Sequence, residues 1–224
     1  MKKLMITTAV VAALALGACG GGGGGGTKKA EPASDKTAAE KITLKPADFP
    51  SGWTSTPHQA SPDSDANNAR FAQCIGRPDP KTLQTADVNS PDFKQGQTTQ
   101  ASSEVTFVRT EADAKDDLAA LQTGKGPDCI KQLLQAAIGP ELPAGATTAD
   151  VRVEQLQFPT LKDGTAAFRL SFTIGTAGLN VPVYADVIFF RAGRAEIALA
   201  SFNAGTPFDS KLEEALAKKM ADRA

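Results

Sequence analysis

Three cysteines, one histidine and two runs of paired carboxylates are the residues best equipped for chemistry in this chain. Cys19 closes an apolar stretch, Leu4 to Leu16, that opens on Met1-Lys2-Lys3. A charged start and a short apolar body mark an export leader. Cys74 and Cys129 are then the remaining thiols, and in an exported chain an even pair meets an oxidising compartment, so a Cys74–Cys129 disulfide is expected. Zinc is disfavoured, because C-x-x-C spacing is lacking and a single histidine leaves too few soft ligands. His58 lies in the Pro-flanked segment Thr56-Pro57-His58-Gln59, with no G-x-S-x-G elbow to supply a nucleophile, and reads as an exposed loop histidine. Asp116-Asp117 and Glu213-Glu214 fall on helices off their apolar stripes and read as solvated faces. Asp63, Asp65 and Asn67 have part of the spacing of a calcium loop, but Asn68 and Cys74 stand where glycine and glutamate are required. No catalytic residue, metal ligand or cofactor is assigned from these patterns.

Leu16-Gly17-Ala18-Cys19 resembles the bacterial lipobox. The resemblance implies a diacylglycerol thioether on Cys19, cleavage just before it, and acyl chains (the palmitate type of modification) that hold the mature lipoprotein on the cell membrane, on its extracytoplasmic side. Residues 1–18 are then the signal peptide; the run is shorter than the roughly 20 apolar residues a transmembrane span needs. Gly20 to Gly26 is unbroken glycine, and Thr27 to Glu40 carries no apolar period, so residues 19–40 read as a flexible tether reaching about 25–30 Å. No strand precedes the glycines and no Gly-Lys-Ser/Thr follows, which argues against a phosphate cradle. The formal charge of −1, more negative by two once Lys2 and Lys3 are lost, speaks against nucleic acid as a partner.

Residues 41–224 are one domain's worth of foldable sequence. Its opening, Ala47-Asp48-Phe49-Pro50-Ser51-Gly52-Trp53, followed by Phe71-Ala72-Gln73-Cys74, resembles actinobacterial secreted lipoproteins and sensor-like extracytoplasmic domains. Trp53 is expected as a core anchor. A helix runs to Ile75, and residues 77–100 read as a surface connection with one helical turn near Pro80–Leu83. Ser103 to Arg109 alternates as a strand, with Glu104, Thr106 and Val108 on one side. Thr110 caps a helix whose Ala114, Leu118 and Leu121 are buried. A second helix starts at Pro127 and stops at Gly139-Pro140.

The meander after it is the clearest pattern. Val151 to Phe158 is a strand with an irregularity between Val153 and Leu156. Ala166, Phe168, Leu170, Phe172 and Ile174 then form one buried face, continued by Val181, Val183, Ala185, Val187 and Phe189. A three-residue loop Arg191-Ala192-Gly193 is expected, because it sets Phe189 opposite Ala195 and keeps the Glu196 carboxylate off the buried face. A last helix starts at Thr206-Pro207. The fold class is therefore α+β, a twisted antiparallel sheet of about five strands with helices packed on one face.

The other face of that sheet offers Arg169, Ser171, Tyr184, Asp186, Ile188, Phe190 and Phe202, with Arg169 beside Asp186. It is more aromatic than solvation requires and is the candidate binding face. The functional expectation is a lipid-anchored extracytoplasmic module that binds a small amphipathic ligand or an envelope protein without catalysis. The alternatives are an envelope enzyme with a site assembled from His58, Arg169, Tyr184 and Asp186, and a structural envelope protein.

Overall fold

The computed structural model describes residues 32–61, 63–141, 146–176 and 178–224. The leader, Cys19 with its lipobox, and the glycine run lie outside the described residues. Six helices are described: α1 (Pro32–Ile42), α2 (Ser64–Ile75), α3 (Pro80–Leu83), α4 (Glu111–Gln122), α5 (Gly126–Glu141) and α6 (Ser210–Arg223). The strands are β1 (Thr54–Thr56), β2 (Gln84–Asn89), β3 (Asp92–Gln95), β4 (Thr99–Val108), β5 (Thr147–Gln155), β6 (Thr165–Thr176), β7 (Leu179–Ala192) and β8 (Ala195–Ala204). They form one sheet of eight strands in the order β1-β3-β4-β8-β7-β6-β5, with β2 also paired to β4. Every pairing is antiparallel.

The period-two alternation of β6 and β7 gives the sheet two faces, and each buries its own core. On the first, Phe168, Leu170, Phe172, Val183 and Val187 pack under Phe71 of α2, Leu118 and Leu121 of α4, and Ile130, Leu133 and Leu134 of α5. On the second, Val105, Ile188, Phe190, Ile197 and Leu199 pack under Ala39 and Ile42 of α1 and Leu216, Ala217 and Met220 of α6. The Cys74–Cys129 disulfide is formed and ties the end of α2 to the first turn of α5.

Several expectations are corrected. Eight strands replace about five: β1 is a short exposed edge strand, β2 is half-buried throughout and so lacks an apolar period, and β3 is four residues long with Phe93 alone buried. Helices cover both faces, not one. Residues 32–40, read as tether, are part of α1, whose narrow stripe Asp35, Ala39 and Ile42 at i, i+4 and i+7 is buried on the sheet. The irregularity of β5 falls between Ala149 and Arg152, where Asp150 adopts φ 56°. The helix α5 runs on through Gly139-Pro140 to Glu141. The last helix begins later than Thr206, at Ser210, where Asp209 accepts from the backbone N–H groups of Lys211 and Leu212.

The β7–β8 hairpin departs furthest from expectation. Ala192 pairs with Ala195, so the loop is the two residues Gly193-Arg194, with Gly193 at φ 57°. Phe189 therefore faces Ala198, Arg191 faces Glu196, and Ile197 and Leu199 turn to the second face. The register differs from the expected one by three residues, an odd number, and so exchanges the whole side-chain set of β8 between faces. Glu196 consequently points to the helix-covered first face.

Candidate functional site

That exchange of β8 creates a cavity. Over β8 the first face carries Glu196 and the small Ala198, so α2 and α4 cannot close against the sheet there as they do over the large side chains of β6 and β7. A cavity of about 90 Å³ remains, walled by Phe71 and Ile75 of α2, Leu118 and Leu121 of α4, Leu83 of α3 and Phe189 of β7. Its polar lining is Gln84, Glu104, Thr106, Asp117, Glu196, Arg77 and Arg191.

Local chain geometry sets the charged groups. Gly76, at φ 77°, ends α2; its N–H reaches the Gln73 carbonyl at 3.1 Å and that of Arg77 reaches Ala72 at 2.7 Å. This left-handed cap turns the chain back and brings Arg77 to the rim. There its guanidinium donates from Nε to Asp117 and lies 3.6 Å from Asp116. Burial pulls the Arg77 pKa down, but Asp117, Asp116 and Asp113 together raise it above its ordinary value. The helix α4 starts with Thr110 Oγ1 accepting from the Asp113 N–H at 3.1 Å, which sets the phase that turns Asp117 inward. Asp116 stays exposed, so only half of the first carboxylate pair is solvated.

Glu196 is the unusual member. Its Oε1 is buried without a hydrogen-bond partner among the described residues. Burial, then the Asp117 charge and a hydrogen bond with the Asp117 carboxyl, push its pKa well above the usual carboxylate range. Glu104, 5% exposed, lines the same cavity from β4.

The face expected to bind is a packed layer. Ile188 and Phe190 are buried beneath α6 in the second core. Phe202 lies on the opposite face, across from Ala185. Arg169 pairs with Asp186 as foreseen, its Nε donating at 2.7 Å to a carboxylate that is 1% exposed. Ser171 sits opposite Tyr184, both half-buried. Beside them Ser201 donates to Glu213 of α6 at 2.5 Å, and Glu213 is buried, contrary to the solvated reading of Glu213-Glu214; Glu214 is exposed. Burial, and after it the Asp186 charge, raise the Glu213 pKa to about 7. His58 is also not an exposed loop residue. Its Nδ1 lies 2.9 Å from Asp92 Oδ1 of β3, with 13% of its side chain exposed. Trp53 packs against Phe49 and Phe208 with ring centroids at 4.6 and 6.0 Å. Among the described residues, no group of three His, Cys, Asp or Glu is placed to hold a metal ion, and no helix is long and apolar enough to cross a membrane.

Sequence reading had Glu104 on the correct face of its strand and missed Arg77, Asp117 and Glu196. Asp117 was legible from its i+3 spacing to Ala114 and i+4 spacing to Leu121. Glu196 was not, because its face depends on one residue of loop length.

No protein-family model matches the chain, and no curated protein sequence does. Among solved structures it is similar to the extracellular domain of PknH from Mycobacterium tuberculosis, at 13% identity and TM-score 0.43, over 84% of this chain and 95% of that one. It is also similar to LpqN of the same organism, described as involved in cell envelope biogenesis, at 10% identity and TM-score 0.32, over 78% of each chain. A third is PA94 from Pseudomonas aeruginosa, described as a putative regulator, at 16% identity and TM-score 0.23, over 60% of this chain and 78% of that one. At these similarities neither ligand nor activity passes to this chain.

Proposed function

We propose that the chain is a lipid-anchored extracytoplasmic module that binds a small amphipathic ligand, without catalysis, in the cavity between α2, α4 and the sheet. The observation that carries this reading is the cavity of about 90 Å³, apolar on its helix walls and acidic along its floor. An apolar pocket with a few convergent polar groups, one of them with a displaced pKa, is the usual form of a small-molecule site. Support for the anchor is the lipobox at Cys19 behind a short apolar leader. The formed Cys74–Cys129 disulfide fits an oxidising compartment. Of the residues that an envelope-enzyme reading would use, His58 is held by Asp92 and Arg169 by Asp186.

Two measurements test it. Labelled palmitate should enter the chain in a lipoprotein-processing host and be lost in Cys19→Ser; labelling that survives the substitution defeats the anchor. Xenon under pressure should shift the methyl resonances of Leu118 and Leu121, which form the apolar helix wall of the cavity, and Ala198→Phe should abolish the shift. Unshifted methyls in the native chain would mean that the cavity is closed in solution.

A further inference from the structure

The chemical class of the ligand can be read from what the cavity lacks, on the premise that the cavity is the ligand site. Its cation, Arg77, is already taken by Asp117, Asp116 and the Asp113 carbonyl. Arg191 is directed to Asp163, at 3.4 Å. The Arg77 guanidinium is thus held by groups of the protein itself. The unmet atoms are acceptors: Glu196 Oε1 and Gln84 Oε1, both buried, lining the cavity and without a hydrogen-bond partner among the described residues. Three carboxyls, of Glu104, Asp117 and Glu196, line the same space. A donor that carries positive charge suits a floor of carboxyls. A volume of about 90 Å³ is below the roughly 150 Å³ of an apolar cavity known to take up benzene, which limits the enclosed part to a head and a short stem.

We propose that the cavity takes a primary alkylammonium group on a short apolar stem, its nitrogen donating to Glu196 Oε1 and Gln84 Oε1. Burial raises the Glu196 pKa, so the cation enters as the Glu196 proton leaves and the charge of the site is unchanged by binding. The stem lies against Leu118, Leu121 and Phe71, and the rest of the amphiphile leaves past the rim between Ile75 and Leu83. The charged groups that act on Glu196 are Asp117 and Asp113 of α4 and Arg77; Glu104 and Arg191 line the cavity with it.

The test titrates n-butylammonium, n-butanol and butyrate against the full lipidated chain in phospholipid nanodiscs, followed by saturation-transfer NMR with empty nanodiscs subtracted. Butylammonium should bind about tenfold more tightly than butanol, since it alone supplies a charged donor, and butyrate should not bind. Glu196→Gln should weaken butylammonium about tenfold and leave butanol within about twofold, while Ala198→Phe removes both. Acidification from about pH 8 to about pH 5 should weaken butylammonium and not butanol, because the displaced proton then competes. Equal binding of butanol and butylammonium, or indifference of butylammonium to Glu196→Gln, would overturn the ammonium assignment and leave the cavity as a ligand site. Failure of all three probes to bind would remove both readings.

Discussion

Glu213 puts a pH-dependent cost into the docking of α6 against the sheet. The residue is 2% exposed, accepts from Ser201, and faces Asp186, which is 1% exposed and held by Arg169. Burial and the Asp186 charge raise its pKa from 4.5 to about 7. The unfolded chain loses this proton near pH 4.5 and the folded chain retains it until about pH 7, so in that window the folded state binds more protons and stability falls as pH rises. Below the window the cost is absent; above it the full cost applies, roughly 3 kcal/mol at about 1.36 kcal/mol per pH unit of separation. Glu213→Gln keeps the shape and the acceptor for Ser201 and cannot ionise. Urea unfolding of the two full chains should therefore coincide near pH 4.5 and diverge toward pH 8, the variant becoming more stable by roughly 3 kcal/mol, or roughly 6–12 °C in Tm for a domain of this size. Glu196 titrates in both proteins and cancels in the difference. A stability difference that is the same at both pH values would refute the reasoning.

The remaining predictions concern separate parts of the fold. Reduction of Cys74–Cys129, 55 residues apart, should destabilise the chain by roughly 4 kcal/mol in the loop-entropy picture; an unchanged urea midpoint in reductant would contradict this. Arg169→Leu strands the Asp186 carboxylate beside Glu213 and should cost about 3–5 kcal/mol, whereas Asp186→Asn should cost less, because Arg169 is partly exposed; equal losses on denaturation would argue against a buried charge. Arg223 donates to Asp48 and to the carbonyls of Ile42 and Thr43, and burial of Asp48 is outweighed by Arg223, so its pKa is held low. Arg223→Ala should cost about 1.5–3 kcal/mol above pH 4, with the penalty shrinking as Asp48 is protonated in acid; hydrogen exchange should show the loss at residues 42–48 and in α6.

What the sequence disclosed follows from how strongly each residue is tied to its neighbours. The alternation in 165–174 and 181–189 required a half-buried hairpin, and the pairing of Arg169 with Asp186 followed from it. Thr110 occupies its cap because few other side chains accept two or three residues ahead, whereas Thr206-Pro207 hid the true cap of α6 at Asp209. The strand β2 was hidden because side chains half-buried on both faces leave no alternation to read, and β3 because four residues with one buried Phe93 are too short to show a period. Glu196 was hidden for a different reason. The three-residue loop spares the burial of a carboxylate, whereas the protein buries Glu196 near Asp117, where burial raises its pKa and favours the neutral form. Glu213 repeats the pattern next to Asp186, and its i+3 and i+4 spacing to Leu216 and Ala217 was the available sign that it shares their face.

The central claim, that this module holds an amphipathic molecule between α2, α4 and β8, is tested most directly by native mass spectrometry of the full chain exported in a host that processes lipoproteins. The native chain should carry a non-covalent adduct, one per chain, lost on denaturation and absent from Ala198→Phe. An adduct-free native chain, or an adduct that persists when Ala198→Phe fills the cavity, would contradict it.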